Sequence, residues 1–197
     1  VCMCGSRHSM GGHTLNKNAF LLDLNQLRHM EFLSTNVLRA QVGAQWKDVI
    51  EFVNPYKKAP FVMQSYCNFT VGGTASVNAH GIREYHFADS VKSLRIVLHD
   101  GTLVTCTPKK NKTLFALALG GYGLFGVIYD IDIRLTDNLD YHAQCYTVPI
   151  LKFYEFYKEN IQNKTMLKSV RININDFSQL IVLTFTPVNN VPVVAPL

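Results

Sequence analysis

Short apolar runs and period-two alternation dominate the chain, and both patterns predict β-strands. The clearest alternation covers residues 127–135, where apolar side chains alternate with Asp130, Asp132 and Arg134, as in a half-buried strand. Asp100-Gly101 separates two β-rich runs and predicts a hairpin. Other strands are predicted at residues 1–4, 19–24, 37–42, 91–98, 102–107, 171–174 and 180–186.

Helical spacing of apolar residues is rarer. Trp46, Val49, Ile50 and Val53 predict one helix over residues 46–53, ended before Pro55, with Trp46 as a core residue. Residues 109–119 predict a basic turn and a second helix. The side chains that this helix offers to the core are Leu114, Phe115, Leu117 and Ala118.

The character of the sequence changes at Asn138. Aromatic residues then crowd between Tyr141 and Tyr157, and three of them recur at helical spacing. We therefore predict two domains, residues 1–137 and residues 138–197.

Composition narrows the class of protein. The 197 residues are 48% hydrophobic and 17% charged, which is typical of a folded globular chain. The net charge is +5, but basic residues are scattered, so we do not expect nucleic acid as a partner. No run reaches the ~20 apolar residues of a membrane-spanning helix. The expectation is a soluble or peripheral protein.

Five cysteines without a Cys-x-x-Cys pair predict free thiols, and no metal site is predicted. Free thiols favour a reducing compartment, with an organelle matrix such as the mitochondrial one included.

Three glycine-rich segments carry the candidate chemistry: the first at residues 5–13, the second at residues 70–81 and the third at residues 120–126. Gly72 and Gly73 are able to adopt positive φ, and their N–H groups could cradle a phosphate-bearing cofactor. The alternative for this pair is a tight turn between two strands. Gly5, Gly11 and Gly12 give the first segment the same capacity for a phosphate nest.

Neither the dinucleotide fingerprint G-x-G-x-x-G between a strand and a helix nor the P-loop pattern is present. The ordered set Gly5-Ser-Arg-His-Ser9, Thr70-Val-Gly-Gly-Thr, Asn78-Ala-His-Gly81 and Gly120 to Ile128 instead resembles the FAD-binding domain of the vanillyl-alcohol oxidase superfamily, the PCMH-type FAD-linked oxidases. The resemblance covers residues 5–135. It implies an α+β fold in which two small sheets and their helices sandwich FAD.

The resemblance also implies a set of cofactor-binding residues. They are Gly5, Ser6, Arg7, His8 and Ser9 at the diphosphate; Thr70, Val71, Gly72 and Gly73 on its other side; Val77, Asn78 and His80 beside the ribityl and flavin; and Gly126, Val127 and Ile128 at the adenine.

Two histidines keep alternative roles. His8 matches the residue that covalent family members join to the flavin 8α-methyl group, or it serves as a hydrogen-bond donor in the loop. His80 is a candidate catalytic residue near the flavin, or a structural histidine.

Departures from the family pattern limit these implications. Cytokinin dehydrogenase places a catalytic aspartate where this chain has Ser65, so the amine-oxidising chemistry is not supported. We expect the N-terminal lobe of the FAD domain to be largely missing, and residues 138–197 to begin a mixed α/β cap domain.

Two functions follow as hypotheses. The first is an FAD-linked oxidase or dehydrogenase that transfers hydride from an alcohol, sugar or lactone-type substrate to flavin N5, with an electron acceptor of unknown identity. The second is a non-catalytic or split subunit in a larger assembly, completed by another chain.

Overall fold

The computed structural model describes residues 1–82, 84–162 and 167–188. The chain divides into two compact units, Val1–Asn138 and Leu139–Leu197. Both units mix helices and strands, which agrees with the predicted mixed class. The assignment of the units to an FAD domain and a cap stays a prediction.

The elements of the described residues are as follows. The helices are α1 (Trp46–Val53), α2 (Val71–Ser76), α3 (Lys112–Ala118) and α4 (Phe153–Asn160). The strands are β1 (Cys2–Cys4), β2 (Leu21–Asp23), β3 (Met30–Ser34), β4 (Val37–Gln41), β5 (Lys58–Pro60), β6 (Val91–Val97), β7 (Leu103–Cys106), β8 (Val127–Asp137), β9 (Tyr141–Pro149), β10 (Leu167–Ile172) and β11 (Gln179–Pro187).

The first unit is built on an antiparallel sheet with β8 at its centre. The strand order is β3-β4-β8-β6-β7, and β5 pairs with the end of β8. One face of this sheet is apolar and carries the core together with α1, α2 and α3. The predicted Asp100-Gly101 hairpin is confirmed, because it joins β6 and β7 as antiparallel neighbours.

The predicted half-buried alternation of β8 is wrong. Asp130 and Asp132 are 2% and 8% exposed, although they point away from the apolar core. Both neighbouring strands place an arginine opposite them: Arg39 donates two hydrogen bonds to Asp132, and Arg95 pairs with Asp130. Flanked on both sides, β8 buries its charged face through ion pairs, because buried carboxylates need partners.

The helix at residues 46–53 is confirmed with its predicted bounds. The backbone N–H of Gln45 donates to Asp48 Oδ2 at 3.1 Å, which stabilises the first turn. Trp46 is fully buried, as expected. In α3, by contrast, Leu117 is 43% exposed and does not reach the core as predicted, because it lies on the face turned away from the sheet.

Three strands, β3, β5 and β9, lack a sequence prediction. Met30–Ser34 (β3) forms a hairpin with β4, and Lys58–Pro60 (β5) pairs with β8. Tyr141–Pro149 (β9) occupies the aromatic-rich stretch. The predicted strand at 171–174 lies earlier in the structure, at Leu167–Ile172.

The second unit is a three-stranded antiparallel sheet of order β10-β11-β9 with helix α4. Its small core consists of Val148, Ile161, Leu180 and Val182, with Phe153, Phe156 and Tyr157 packed against it. The predicted aromatic helix is therefore confirmed as the element that covers this core.

Candidate functional site

The first glycine segment follows β1 and contains backbone N–H groups that donate no hydrogen bond to any described residue. Across the described parts of the chain, none of the N–H groups of residues 5–9 donates to a protein acceptor. Arg7 has φ +57°, which turns the backbone sharply. Successive free N–H groups around a left-handed residue are typical of an anion-binding nest.

A groove of about 680 Å³ opens beside this segment. Arg7, Arg28 and Lys47 bring cations to it, and Asp23 brings a carboxylate. The other lining residues are Gly5, Ser6, His8, Asn25, Gln45 and Asn68. The groove is therefore polar and carries an excess of positive charge, as a site for an anionic ligand requires.

Side chains of the turn after β2 brace the first glycine segment. Asn25 Nδ2 donates to Gly5 O at 3.1 Å and to Asp23 Oδ1 at 2.7 Å. Hydrogen bonds from Asn25, with help from Arg7, lower the pKa of Asp23. Arg7 lies 3.7 Å from Asp23, and a hydrogen bond to Cys4 is the main cause of its raised pKa.

Gly72 and Gly73 of the second glycine segment lie in helix α2, which corrects both sequence interpretations of this pair. Thr70 caps α2, and Gly72 and Gly73 have ordinary helical backbone instead of positive φ. Their N–H groups are already engaged: Gly72 N donates to Val42 O at 2.9 Å and Gly73 N to Thr70 Oγ1 at 3.1 Å. These two amides therefore do not form an open cradle.

Close packing explains the glycines at positions 72 and 5 without a ligand. A Cβ on Gly72 would lie 2.7 Å from Val42 Cβ, so only glycine lets α2 approach the end of β4. A Cβ on Gly5 would lie 2.4 Å from Thr70 Oγ1. The first and second glycine segments thus touch directly.

The third glycine segment closes on the other end of α2. Gly120 N donates to Ala75 O and Tyr122 N to Ser76 O, both at 2.9 Å. The ring of Tyr122 also stacks on His13 with centroids 5.5 Å apart. All three glycine segments therefore meet around α2.

The remaining predicted residues are distributed around this centre. His8 lines the groove, and its ring lies 4.9 Å from that of Phe69. Asn78 has φ +46° and accepts from Ala88 N at 2.8 Å, which is a structural role. His80 is exposed, bridges to His86, and is not among the groove-lining residues.

Other predicted contacts lie apart from the groove lining. Val77 is 43% exposed at the end of α2, and Ser9 is exposed beyond His8. Gly126, with φ +139°, begins β8 beside β6, where Val127 pairs with Val97 and Ile128 with Ile96. A Cβ on Gly126 would lie 2.6 Å from Val97 O.

Sequence reasoning missed most of the groove wall. Asp23, Asn25 and Arg28 line the groove from β2 and the turn after it, where no site residue was predicted. Gln45 and Lys47 flank the buried Trp46. The sequence could have indicated Gln45 and Lys47, because the residues next to a core-facing tryptophan in a helix lie on other faces of that helix. Gln45 Nε2 donates to Ser6 Oγ at 2.9 Å and ties α1 to the first glycine segment.

A buried polar node supports α2 from inside. The hydroxyl of Thr74 accepts from Trp46 Nε1 and from Gln64 Nε2, each at 2.8 Å, and donates to Thr70 O at 3.0 Å. The other amide atom, Gln64 Oε1, is buried and has no hydrogen-bond partner among the residues that the structure describes. This node joins α1, α2 and the loop that contains Gln64.

No metal-binding cluster of histidine, cysteine or carboxylate side chains occurs among residues 1–82, 84–162 and 167–188. Within those same ranges, none of the helices has the length and apolar character needed to cross a membrane.

The first unit has an antiparallel sheet with helices on one face, and beside it lies a cationic groove with free backbone N–H donors. These features are typical of a domain that binds an anionic cofactor. The family described as FAD binding domain matches residues 1–107, and the chain belongs to this family. The resemblance to the FAD-linked oxidases is therefore confirmed, and FAD is the cofactor of the domain.

The curated relatives are oxidoreductases. The chain is 33% identical over 135 residues to an uncharacterized oxidoreductase of the fasciation locus of Rhodococcoides fascians, covering 67% of this chain and 31% of the relative. It is 32% identical over 141 residues to cytokinin dehydrogenase 9 of Oryza sativa subsp. japonica, covering 65% and 26%.

A third relative, D-arabinono-1,4-lactone oxidase of Yarrowia lipolytica, is 25% identical over 205 aligned positions, covering 100% of this chain and 38% of the relative. The chain thus spans well under half the length of each of these three proteins.

Proposed function

We propose that the protein is an FAD-dependent oxidoreductase that oxidises an alcohol, sugar or lactone-type substrate. The observation that carries the proposal is the row of free N–H donors at residues 5–8, which line a groove with three cationic side chains. Bound FAD supplies the hydride acceptor, flavin N5, when the substrate C–H bond is oxidised.

The chain's own residues act by binding and orientation. The N–H groups of Ser6 and its neighbours hold the diphosphate as hydrogen-bond donors, and Gln45 holds the Ser6 side chain in place. Asn25 fixes Gly5 O and so keeps the donors pointed at the groove. Preformed donors lose little freedom when the cofactor binds, which favours affinity.

The preference for alcohol-type substrates rests on Ser65. This residue stands where the resemblance to cytokinin dehydrogenase leads us to expect an aspartate, and it is exposed. A hydroxyl is a far weaker base than a carboxylate, so Ser65 could not replace an aspartate as the group that accepts a proton from an amine substrate. The lactone oxidase relative is consistent with this choice, and the oxidoreductase names of the relatives disfavour a purely structural subunit.

Substrate class is tested with a dye-linked oxidation assay on the FAD-loaded chain. We expect reduction of the dye with an aldonolactone or sugar alcohol and none with a cytokinin. A Ser65→Asp variant is the informative partner, because it restores the carboxylate. Turnover of the cytokinin by the unmodified chain would contradict the proposed substrate class.

His8 is proposed as the residue nearest the flavin in the groove, and its two roles are separated by one experiment. An absorbance spectrum is recorded before and after acid precipitation. A covalent bond leaves flavin absorbance with the precipitated chain, and His8→Ala releases it to the supernatant. Flavin in the supernatant of the unmodified protein assigns His8 to hydrogen bonding. A purified protein that neither carries nor takes up FAD would contradict the proposed function.

A further inference from the structure

We propose that Lys47 and Arg28 form a cationic wall that contacts the diphosphate of the dinucleotide in the groove lined by residues 5–8. The inference rests on the proposed placement of FAD in this groove. It assigns a phosphate-binding role to two side chains that no glycine motif contains.

Lys47 is the uncommitted cation of the groove. It lies in the first turn of α1, and its backbone N–H is fixed by a 2.9 Å hydrogen bond to Cys67 O. Within the described ranges, its ammonium group has no acceptor or ion-pair partner. The residue is exposed and lines the groove, so the charge is free to meet a ligand there.

One nitrogen of the Arg28 guanidinium, Nε, makes a hydrogen bond within the protein. Its Nε donates to Asn25 O at 2.5 Å, which anchors the guanidinium to the turn after β2. The terminal nitrogens have no acceptor in the described part of the chain and remain able to bind a phosphate oxygen. The guanidinium group is well suited to phosphate because it presents paired donors in a plane.

Arg7 differs from these two residues, since Asp23 and Cys4 already contact it. Arg7 and Asp23 together add no net charge to the groove, so its positive excess equals the charges of Lys47 and Arg28. A diphosphate brings two negative charges at neutral pH and matches this excess. Riboflavin brings none, so the wall distinguishes the dinucleotide from the flavin alone.

The test measures dissociation constants of the full chain, freed of flavin, for FAD, ADP, inorganic pyrophosphate and riboflavin by calorimetry. Lys47→Gln and Arg28→Gln are each expected to weaken FAD and ADP about five- to tenfold, as for a solvent-accessible charge-assisted contact. Riboflavin affinity stays unchanged. The dependence of FAD affinity on salt concentration also becomes shallower in both variants.

Lys112→Gln is the matched control, because Lys112 also begins a helix and is exposed but lies outside the groove lining. Circular dichroism and the melting temperature confirm that each variant folds. FAD and ADP affinities within twofold of the unmodified chain in both groove variants would overturn the inference.

The outcomes separate the inference from the function on which it rests. A chain that binds pyrophosphate through Lys47 but takes up no FAD refutes the FAD proposal and supports the cationic wall. A chain that binds FAD equally well with or without these cations supports the function and refutes the wall. Failure to bind any of the anions refutes both.

Discussion

Replacing Gly72 by alanine tests why glycine occupies this position in α2. The added Cβ would lie 2.7 Å from Val42 Cβ and 3.0 Å from Val42 O. Val42 has little room to yield, because its N–H donates to Tyr129 O and its carbonyl accepts from Gly72. Overpacking of this kind costs about 1–3 kcal/mol, and the better helix propensity of alanine returns about 1 kcal/mol.

Because Val42 is held on both sides, we take the upper end of the overpacking range, which leaves a net loss of about 2 kcal/mol in the free energy of unfolding. For a chain of this size, that loss corresponds to a melting temperature lower by about 4–8 °C. Chemical denaturation followed by Trp46 fluorescence measures the loss, because Trp46 is the single tryptophan and is fully buried.

Gly73→Ala is the control, since its Cβ would meet only Thr70 Oγ1 at 3.1 Å. We expect its stability to lie within about 1 kcal/mol of the unmodified chain, because propensity and crowding nearly cancel. Equal stability of the two alanine variants would refute the packing explanation of Gly72. That result would instead favour ligand contact as the reason for the glycine pair.

Three further predictions concern buried polar groups and thiols. Thr74→Val leaves two buried N–H donors without an acceptor and is expected to destabilise the fold by about 3 kcal/mol in urea denaturation, whereas Thr74→Ser, which keeps the hydroxyl, should lose about 1 kcal/mol. Asp130→Asn removes the carboxylate partner of Arg95 and should lose about 2 kcal/mol by the same measurement; an unchanged midpoint would show that the pair contributes nothing. Burial raises the pKa of the Cys106 thiol, so Cys106 should resist a thiol reagent at pH 8 in the native protein while exposed Cys67 reacts, and equal rates would contradict its burial.

The sequence predicted the structure correctly where the residues of a single element determine its conformation. The helix of α1 follows from the spacing of Trp46 and its apolar neighbours, and the β6–β7 hairpin follows from Asp100-Gly101. The convergence of the glycine segments came from a resemblance to known proteins. The groove at residues 5–9 then supplied a physical reason for that resemblance.

The errors arose where tertiary neighbours decided the outcome. The alternation in β8 was interpreted as one solvent-exposed face, but arginines from both neighbouring strands pair with Asp130 and Asp132. The Gly72-Gly73 pair was expected to cradle a phosphate, with a tight turn as the alternative, whereas both residues lie in α2 with their N–H groups bonded to protein acceptors. Lys47 and Arg28 escaped notice because only the fold brings their separate elements to one groove.

The meeting of the glycine segments around α2 has a consequence for the order of folding. Met3 lies against Gly123, Gly5 against Thr70, and Gly120 holds the carbonyl of Ala75, so the contacts join residues up to 120 positions apart. Contacts between such distant positions carry a large loop-closure entropy and form late. During refolding we therefore expect affinity for the cofactor to develop after most of the sheet is in place, so that flavin binding reports completion of the domain.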